Sequence, residues 1–124
     1  FSKFKKKVVI SKLKLHKILY ELKKKNKKIY GISAPSRAST LINYVKLDEN
    51  IIDCVLEING SKKIGKFIAG TKIPILDEKI LYKDQPDYAL VFSWHIFKEI
   101  KKNLKKRGFK GKFIVPLPIP KIIN

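Results

Sequence analysis

The pattern of apolar and polar residues along the chain predicts helices and strands that alternate. Between Ser2 and Lys28, apolar residues recur at helical spacing among lysines, which predicts one long amphipathic helix, although the run Val8 to Ile10 could also form a short strand. His16 lies among the polar positions and is expected on the solvated surface of this helix. The apolar runs that follow are short and nearly continuous, as is typical of strands covered on both faces. The predicted strands are Ile29 to Tyr30, Ile51 to Glu57, Lys72 to Leu76, Asp87 to Phe92 and Lys112 to Val115.

Between these strands the sequence carries the signals of helices. Pro35 and Ser36 supply the preset backbone angle and the capping oxygen of a helix start, and Leu41, Ile42 and Val45 then form its apolar face. Because helices and strands alternate, we predict an α/β fold, a small Rossmann-like, three-layer domain with a mostly parallel sheet. The two further predicted helices are a brief one from Asp77 to Leu81 and a longer one with the apolar face Phe97, Ile100 and Leu104 that ends at Gly108.

A long glycine-rich connection separates the second and third predicted strands. From Asn59 to Thr71, the glycines Gly60, Gly65 and Gly70 stand five residues apart, with lysines between them. Connections of this length inside compact domains are uncommon unless they are functional or disordered, and regular glycines indicate defined turns. We predict a glycine-rich β insert here, and a plain surface excursion with exposed lysines is the open alternative.

The chain is expected to have two parts. They are a leading helix over residues 1–28 and the Rossmann-like domain over residues 29–124. Three alternating prolines follow the strand that ends at Val115, which excludes an interior strand and predicts an extended tail. The chain begins with Phe1 and contains no methionine, so we expect it to be a piece of a longer polypeptide.

The formal charge of +19 is concentrated in two stretches of the chain. Residues 1–28 carry a net charge of +11 and residues 98–112 a net charge of +7, whereas eight basic and eight acidic residues cancel between 29 and 97. Twenty-seven of the 29 basic residues are lysine, which lacks the planar fork that arginine uses on base edges and phosphates. The distribution favours solvated helix faces, and a basic nucleic-acid-binding module stays open as an alternative.

The single cysteine and the lack of long apolar runs indicate the cellular context. Cys54 lies inside an apolar run and is expected in the core, which excludes a disulfide framework and a cysteine metal site. No run reaches the roughly 18 apolar residues that a membrane span needs. We therefore expect a soluble, cytoplasmic protein with no membrane partner.

The chain lacks the sequence signatures of common active sites. It contains no HExxH zinc motif, no GxSxG nucleophile elbow and no P-loop, so we expect neither catalytic residues nor a metal site. The stretch from Gly31 to Ser36 follows the spacing of a dinucleotide-binding loop, but Ser33 and Ser36 replace its second and third glycines. Glu57 ends a strand where a ribose-binding acid would lie. A looser anion site at the helix start remains a hypothesis. The residues that crowd this helix start are Ser33, Ser36, Arg37, Ser39 and Thr40.

Four segments of the chain resemble, in order, the motifs of a known family. The segments GISAPSRASTLIN, KIGKFIAGTKIPI, PDYALVFSWHI and GKFIVPLP resemble successive motifs of the C-terminal domain of S-adenosylmethionine-dependent sugar C-methyltransferases. The first family motif usually reads GYGAPAKGNTLLN, and this chain departs from it where Ser33 and Ala38 replace glycines and Arg37 replaces lysine. The resemblance extends from about Lys28 to Pro120, and the leading helix is similar to the connecting helix of that family.

The resemblance implies a role in holding substrate rather than in transferring a methyl group. In such enzymes S-adenosylmethionine and the catalytic residues belong to a separate domain of the same chain, so no cofactor is expected in this one. This domain would help to hold a nucleotide-sugar against that S-adenosylmethionine-binding domain, and a purely structural docking domain is the other alternative. The substrate-binding residues that the resemblance implies are Ser33, Ala34, Pro35, Ser36, Arg37, Ser39, Thr40, Asn59, Lys66, Gly70, Thr71, Trp94 and His95.

Overall fold

The chain folds into alternating helices and strands, as the apolar pattern predicts. The computed structural model describes residues 2–32 and 35–124, and within these ranges every side chain except those of residues 4 and 35–37. A short 3₁₀ turn at Trp94–Ile96 leads into the last helix. The helices are α1 (Lys3–Lys24), α2 (Pro35–Val45), α3 (Lys79–Asp84) and α4 (Phe97–Lys106). The strands are β1 (Ile29–Ile32), β2 (Cys54–Glu57), β3 (Ile75–Asp77), β4 (Tyr88–Val91), β5 (Lys112–Val115) and β6 (Lys121–Ile123).

The six described strands form one sheet in the order β3-β2-β1-β4-β5-β6. The first five strands are parallel, and β6 pairs antiparallel with β5. In the register, Gly31 of the central strand β1 lies opposite Val55 on one side and Leu90 on the other. This order is that of a doubly wound sheet. Strands are added outward on one side of β1 up to β3 and then on its other side from β4, so the strand order reverses between β1 and β4. The predicted Rossmann-like α/β fold with a mostly parallel sheet is therefore confirmed.

The sheet buries apolar side chains on both of its faces. Successive residues of a strand point to opposite faces, so Ile29 belongs to one core and Tyr30 to the other. On the first face, Leu19 of α1 and Ile42 of α2 are fully buried against the strands. On the second face α3 and α4 cover the sheet, and Leu104 of α4 lies in that core. The three layers are thus helices, sheet and helices.

The leading helix packs against α2 rather than standing apart from it. Leu15, Leu19 and Leu22 recur on one side of α1 and are buried in the first core. His16 is partly buried, and its Nε2–H donates a hydrogen bond to the carbonyl oxygen of Val45 at the end of α2. The expectation of a solvated histidine is wrong. His16 lies on the side of α1 that faces the end of α2, where the last carbonyl groups of a helix lack partners within the helix.

Several predicted boundaries differ from the structure. The alternative of a strand at Val8 to Ile10 is wrong, because α1 continues through these residues to Lys24. β2 begins at Cys54, not at Ile51, because the amides of Ile51 and Ile52 donate to the Asp48 carbonyl oxygen at 3.1 and 3.0 Å and close a turn. β3 is likewise shifted toward the C-terminus of its predicted range. Local hydrogen bonding at strand starts, which the apolar run does not reveal, sets these limits.

The last predicted strand is not the last strand of the structure. β5 matches its predicted range, Lys112 to Val115, but β6 follows beyond the final proline. β6 is a three-residue edge strand, and its Ile123 pairs with Phe113. The prolines lie in the connection between the two strands, where no ladder hydrogen bond is required of them.

The glycine-rich segment forms a folded-back turn with little regular structure. All of residues 58–74 are described, and they contain one isolated antiparallel bridge, between Phe67 and Pro74, but no strand. The amide of Ile68 donates to the Ile73 carbonyl oxygen at 2.9 Å, so the segment doubles back on itself. Gly70, with a φ of +79°, lies at the turn, where a side chain would be strained. The prediction of a β insert is not confirmed beyond this one bridge.

Candidate functional site

The carboxyl ends of β1 and β4 lie side by side at the centre of the sheet. In open α/β sheets, ligands bind outside the strand ends at the point where the strand order reverses. α2 begins shortly after β1, and the Trp94–Ile96 turn begins shortly after β4. The structure therefore places the helix start and the tryptophan turn at the same edge, hereafter the carboxyl edge.

A close packing contact holds the carboxyl edge together. Phe92, which is 2% exposed, lies over Gly31, and a Cβ atom on Gly31 would come within 2.5 Å of the Phe92 ring. Gly31 therefore carries no side chain because the ring occupies that space. Gly31, the first glycine of the loop, is thus required for the packing of Phe92 in the core.

A groove of about 610 Å³ opens beside the Trp94–Ile96 turn. It lies between this turn, the first turns of α4 and the chain around β6. Trp94 is 36% exposed, and its ring meets that of His95 edge-on with 5.9 Å between centroids. The apolar residues of the groove include Val115, Leu117 and Ile123, and its charged residues are Lys98, Glu99, Lys101 and Lys121.

The composition of this groove suits an anionic ligand with an apolar ring. Three lysines stand against one glutamate around it, so the local charge is positive. The indole of Trp94 and the apolar floor offer a surface against which a ring can pack. Among the residues that the structure describes, no three His, Cys, Asp or Glu side chains are grouped to hold a metal ion.

The residues predicted at the start of α2 can be followed only in part. Ser33 and Ala34 lie outside the described residues, and so do the side chains of Pro35, Ser36 and Arg37. Ser39 and Thr40 lie in the second turn of α2, toward the carboxyl edge.

Two predicted residues of the glycine-rich segment, Asn59 and Lys66, lie at different levels of the sheet. Asn59 is exposed and follows β2 by two residues, so it belongs to the carboxyl edge. Lys66 is also exposed, and its carbonyl oxygen accepts a 2.8 Å hydrogen bond from the amide of Ile75, the first residue of β3. Lys66 is therefore level with the start of β3.

Gly70 and Thr71 lie at the opposite end of the sheet. The turn that contains them extends past the start of β3, and Asn43 near the end of α2 binds it. The Nδ2 group of Asn43 donates to the carbonyl oxygens of Ser39 and Ala69 at 2.8 and 2.9 Å. A separate open groove of about 660 Å³ lies here and is lined by Asn43, Gly70 and Thr71 among others. The structure thus separates these two residues from Trp94 and His95 by the length of the sheet.

A further cleft lies at the carboxyl edge, between α3 and α4. It measures about 190 Å³ and contains Tyr82 and Arg107, which the sequence reasoning did not select. These residues are 25 positions apart, one in α3 and the other directly after the end of α4, so no local spacing marks them as a pair. The one signal in the sequence was Glu57 at the end of β2, which also lines this cleft.

Two ionisable groups beneath α3 are held in their neutral forms. Burial and, to a smaller extent, the carboxylates of Asp53 and Asp84 together raise the pKa of the Cys54 thiol to about 12. Burial also raises the pKa of Tyr30, as does the hydrogen bond of 2.6 Å that its hydroxyl donates to Asp84. Cys54 is buried as predicted, and as a thiol it is a weak nucleophile at neutral pH.

The described helices include none that is both long enough and apolar enough to cross a membrane. The longest, α1, is rich in lysine but leaves several large apolar side chains exposed. These side chains are Val9, Ile10, Leu13 and Tyr20.

Comparison with known proteins agrees with the motifs of the sequence. Residues 1–118 match the family model described as the C-methyltransferase C-terminal domain. The C-methyltransferase NovU of Streptomyces niveus is 33% identical over 101 residues, which make up 79% of this chain and 23% of that protein. The chain spans less than a quarter of the length of this relative. With a matching family model over nearly its whole length, the chain belongs to the family of C-methyltransferase C-terminal domains.

Proposed function

We propose that this chain is the substrate-holding, non-catalytic domain of an S-adenosylmethionine-dependent C-methyltransferase. It would hold a nucleotide-sugar against a separate S-adenosylmethionine-binding domain of the same parent chain, and methyl transfer would take place there. The observation that carries the proposal is the lysine-rimmed groove beside Trp94, at the carboxyl edge of a doubly wound sheet, in a chain of this family. A cytoplasmic location, where S-adenosylmethionine is available, is part of the proposal.

The groove offers complementary partners for the two chemical parts of a sugar diphosphate. The indole of Trp94 supplies an apolar face for the sugar ring, and His95 stands beside it. Lys98 and Lys101, which lie on the first turns of α4, supply positive charge for the diphosphate. We include residues 33–40 at the start of α2 in the proposed site, because the first amides of a helix in general favour an anion.

The proposal is tested by an NMR titration of the 124-residue chain with thymidine diphosphate-glucose at about 150 mM salt, where non-specific attraction of phosphate is screened. We expect shifts at Trp94, His95 and the first turn of α4. Trp94→Ala should weaken binding by about tenfold, or about 1.4 kcal/mol. Lys101→Ala should weaken it less, and Lys62→Ala, an exposed lysine outside the groove, is the matched control.

Two results would contradict this proposal. One is an affinity that is unchanged by Trp94→Ala. The other is a set of shifts that spreads over the lysines of α1 and α4 and is lost steeply as the salt concentration rises. That behaviour is typical of non-specific binding of phosphate groups, as in a nucleic-acid-binding surface.

The docking alternative is favoured by one feature of α1. Val9, Leu13 and Tyr20 recur at positions i, i+4 and i+11, so they form an exposed apolar stripe along one side of the helix. Lysines flank this stripe, and more than three quarters of the NovU relative lies outside the aligned part. We propose residues 1–28 as the connecting helix, docked on an acidic, apolar surface of the rest of the parent methyltransferase.

A substitution in the exposed stripe tests the docking alternative. Leu13→Glu should lower the melting temperature of the parent methyltransferase and leave that of the 124-residue chain unchanged, since Leu13 contacts solvent in the chain alone. An equal melting temperature of the substituted and unsubstituted parent proteins would exclude this surface from the contact between domains.

A further inference from the structure

The cleft between α3 and α4 has the form of a small ring-binding site. Its floor includes Ile32 and Leu56, near the carboxyl ends of β1 and β2, and Ile100 of α4 lines one side. Its volume of about 190 Å³ is enough for one flat heterocyclic ring, and a sugar attached to that ring would lie at its mouth. Concave apolar sites with a few convergent polar groups are the usual form of ligand pockets.

One wall of the cleft is ordered by contacts among three side chains. The guanidinium carbon of Arg107 lies 4.9 Å from the centre of the Tyr82 ring, and its Nη2 lies 3.3 Å from Oε1 of Glu78. The ion pair and the cation–π contact hold these planar groups in place without a ligand. A ligand ring that enters the cleft therefore meets a wall that needs little rearrangement.

Tyr82 brings an unsatisfied hydrogen-bonding group to this wall. Its hydroxyl is buried and, among the residues that the structure describes, has no hydrogen-bond partner. A buried hydroxyl without a partner is unfavourable, so a ligand atom that reaches it and accepts its hydrogen bond would gain affinity. Burial also raises the pKa of Tyr82, which keeps the hydroxyl protonated and able to donate.

The position and charge of the cleft indicate which ligand it suits. Glu57, the last residue of β2, lines the cleft at the place where an acidic residue binds ribose hydroxyls in doubly wound sheets. The two glutamates, Glu57 and Glu78, outnumber Arg107, so the cleft is unfavourable for a phosphate group. Neutral groups that donate hydrogen bonds, such as ribose hydroxyls and ring N–H groups, suit it better.

We propose that this cleft binds the nucleoside part of a nucleotide, with the base against Tyr82 and Arg107 and the ribose hydroxyls on the carboxylate of Glu57. The assignment of that nucleotide as a nucleoside diphosphate sugar rests on the proposed function. α4 contributes to both places, because Lys98 and Lys101 line the groove beside Trp94 while Ile100 and Leu104 line the cleft. The nucleoside site is thus separate from the groove that takes the sugar and the diphosphate.

The test uses probes that separate the two places. The 124-residue chain is titrated by NMR with thymidine, with uridine and with thymidine diphosphate-glucose. Thymidine and uridine carry no phosphate, so we expect at least one of them to shift the resonances of Ile32, Leu56 and Tyr82 and to leave the Trp94 groove unchanged. Tyr82→Phe should weaken nucleoside binding by about fivefold, and Glu57→Gln by a similar factor.

The tyrosine substitution also distinguishes a binding role from a structural one. Tyr82→Phe removes a hydroxyl without a partner, so the melting temperature should stay equal or rise while affinity falls. Tyr44→Phe, at an exposed tyrosine of α2, is the matched control and should alter neither quantity.

Three other outcomes of the titrations would contradict the nucleoside site, the proposed function or the stated binding mode. If thymidine diphosphate-glucose shifts only the Trp94 groove and no nucleoside shifts the cleft, the inference is wrong and the proposed function stands. If no probe shifts either place, both are wrong. Shifts in the cleft that neither Tyr82→Phe nor Glu57→Gln weakens would overturn the binding mode stated here.

Discussion

Replacing Gly31 by alanine tests how the carboxyl edge of the sheet is built. An ideal Cβ at this position would lie 2.5 Å from Cε2 of Phe92 and 3.0 Å from Cγ2 of Val55. Carbon atoms in favourable contact are about 3.5–4.0 Å apart, so the phenyl ring would have to move by about 1 Å. Phe92 is buried and has little free space for that movement.

The expected loss of stability follows from two opposing effects. Overpacking of a filled core costs about 1–3 kcal/mol. Replacing glycine by alanine restricts the unfolded chain and contributes about 0.4–1 kcal/mol in the stabilising direction. We therefore expect Gly31→Ala to lower the free energy of unfolding by about 1–2 kcal/mol.

A double-mutant cycle with Phe92→Leu separates the clash from other effects. Leucine has no ε carbon, so the alanine at position 31 should cost about 1 kcal/mol less in the Phe92→Leu background. The measurement is equilibrium unfolding in denaturant for the four proteins, with equal denaturant slopes as the check on two-state behaviour. An equal cost of Gly31→Ala in both backgrounds would refute the stated contact as the reason for the glycine.

Three further predictions concern residues that hold the elements in place. Because burial raises the pKa of Cys54 from 9.0 to about 12, the protonated thiol contributes stability below pH 9 that is lost as the pH rises toward 12. The difference in unfolding free energy between wild type and Cys54→Ala, measured by denaturation at several pH values, should therefore shrink between pH 8 and pH 11; a constant difference would contradict this. Asp53 accepts a 2.8 Å hydrogen bond from the Ile29 amide at the start of β1, so Asp53→Ala should cost about 1–2 kcal/mol in thermal or chemical unfolding, and Asp53→Asn less. Asn43→Ala should remove the contact with Ala69 and speed hydrogen exchange in the turn around residue 70, whereas unchanged exchange would show that the turn holds by itself.

Local patterns in the sequence were sufficient for most of the fold. The apolar runs that contain Ile29, Val55 and Leu90 mark central strands because a strand buried on both faces excludes polar side chains. The short edge strand β6 was missed because three residues after a proline-rich stretch carry no pattern of their own, and only pairing with β5 makes them a strand.

The candidate site was predicted less completely than the fold. Trp94 and His95 were selected from a motif, and they lie at the carboxyl edge as a turn that follows a parallel strand must. Gly70 and Thr71 belong to the same set of motifs but lie at the far end of the sheet. The Asn43 side chain donates a hydrogen bond to the Ala69 carbonyl oxygen and the Ile73 amide donates one to the Thr71 hydroxyl, and these bonds hold the turn beyond the start of β3. The positions of Gly70 and Thr71 in the sequence did not indicate at which end of the sheet their turn would lie.

The sequence by itself determined the α/β class, the order of the elements up to β5, the buried cysteine and the family. These features follow from periodic burial and from motifs, which are properties of neighbouring residues. The tertiary structure alone decided that Phe92 fills the space above Gly31 and that Tyr82 meets Arg107 over the carboxyl ends of β1 and β2. Such contacts join residues from different elements, and only the packing of helices on the sheet brings those elements together.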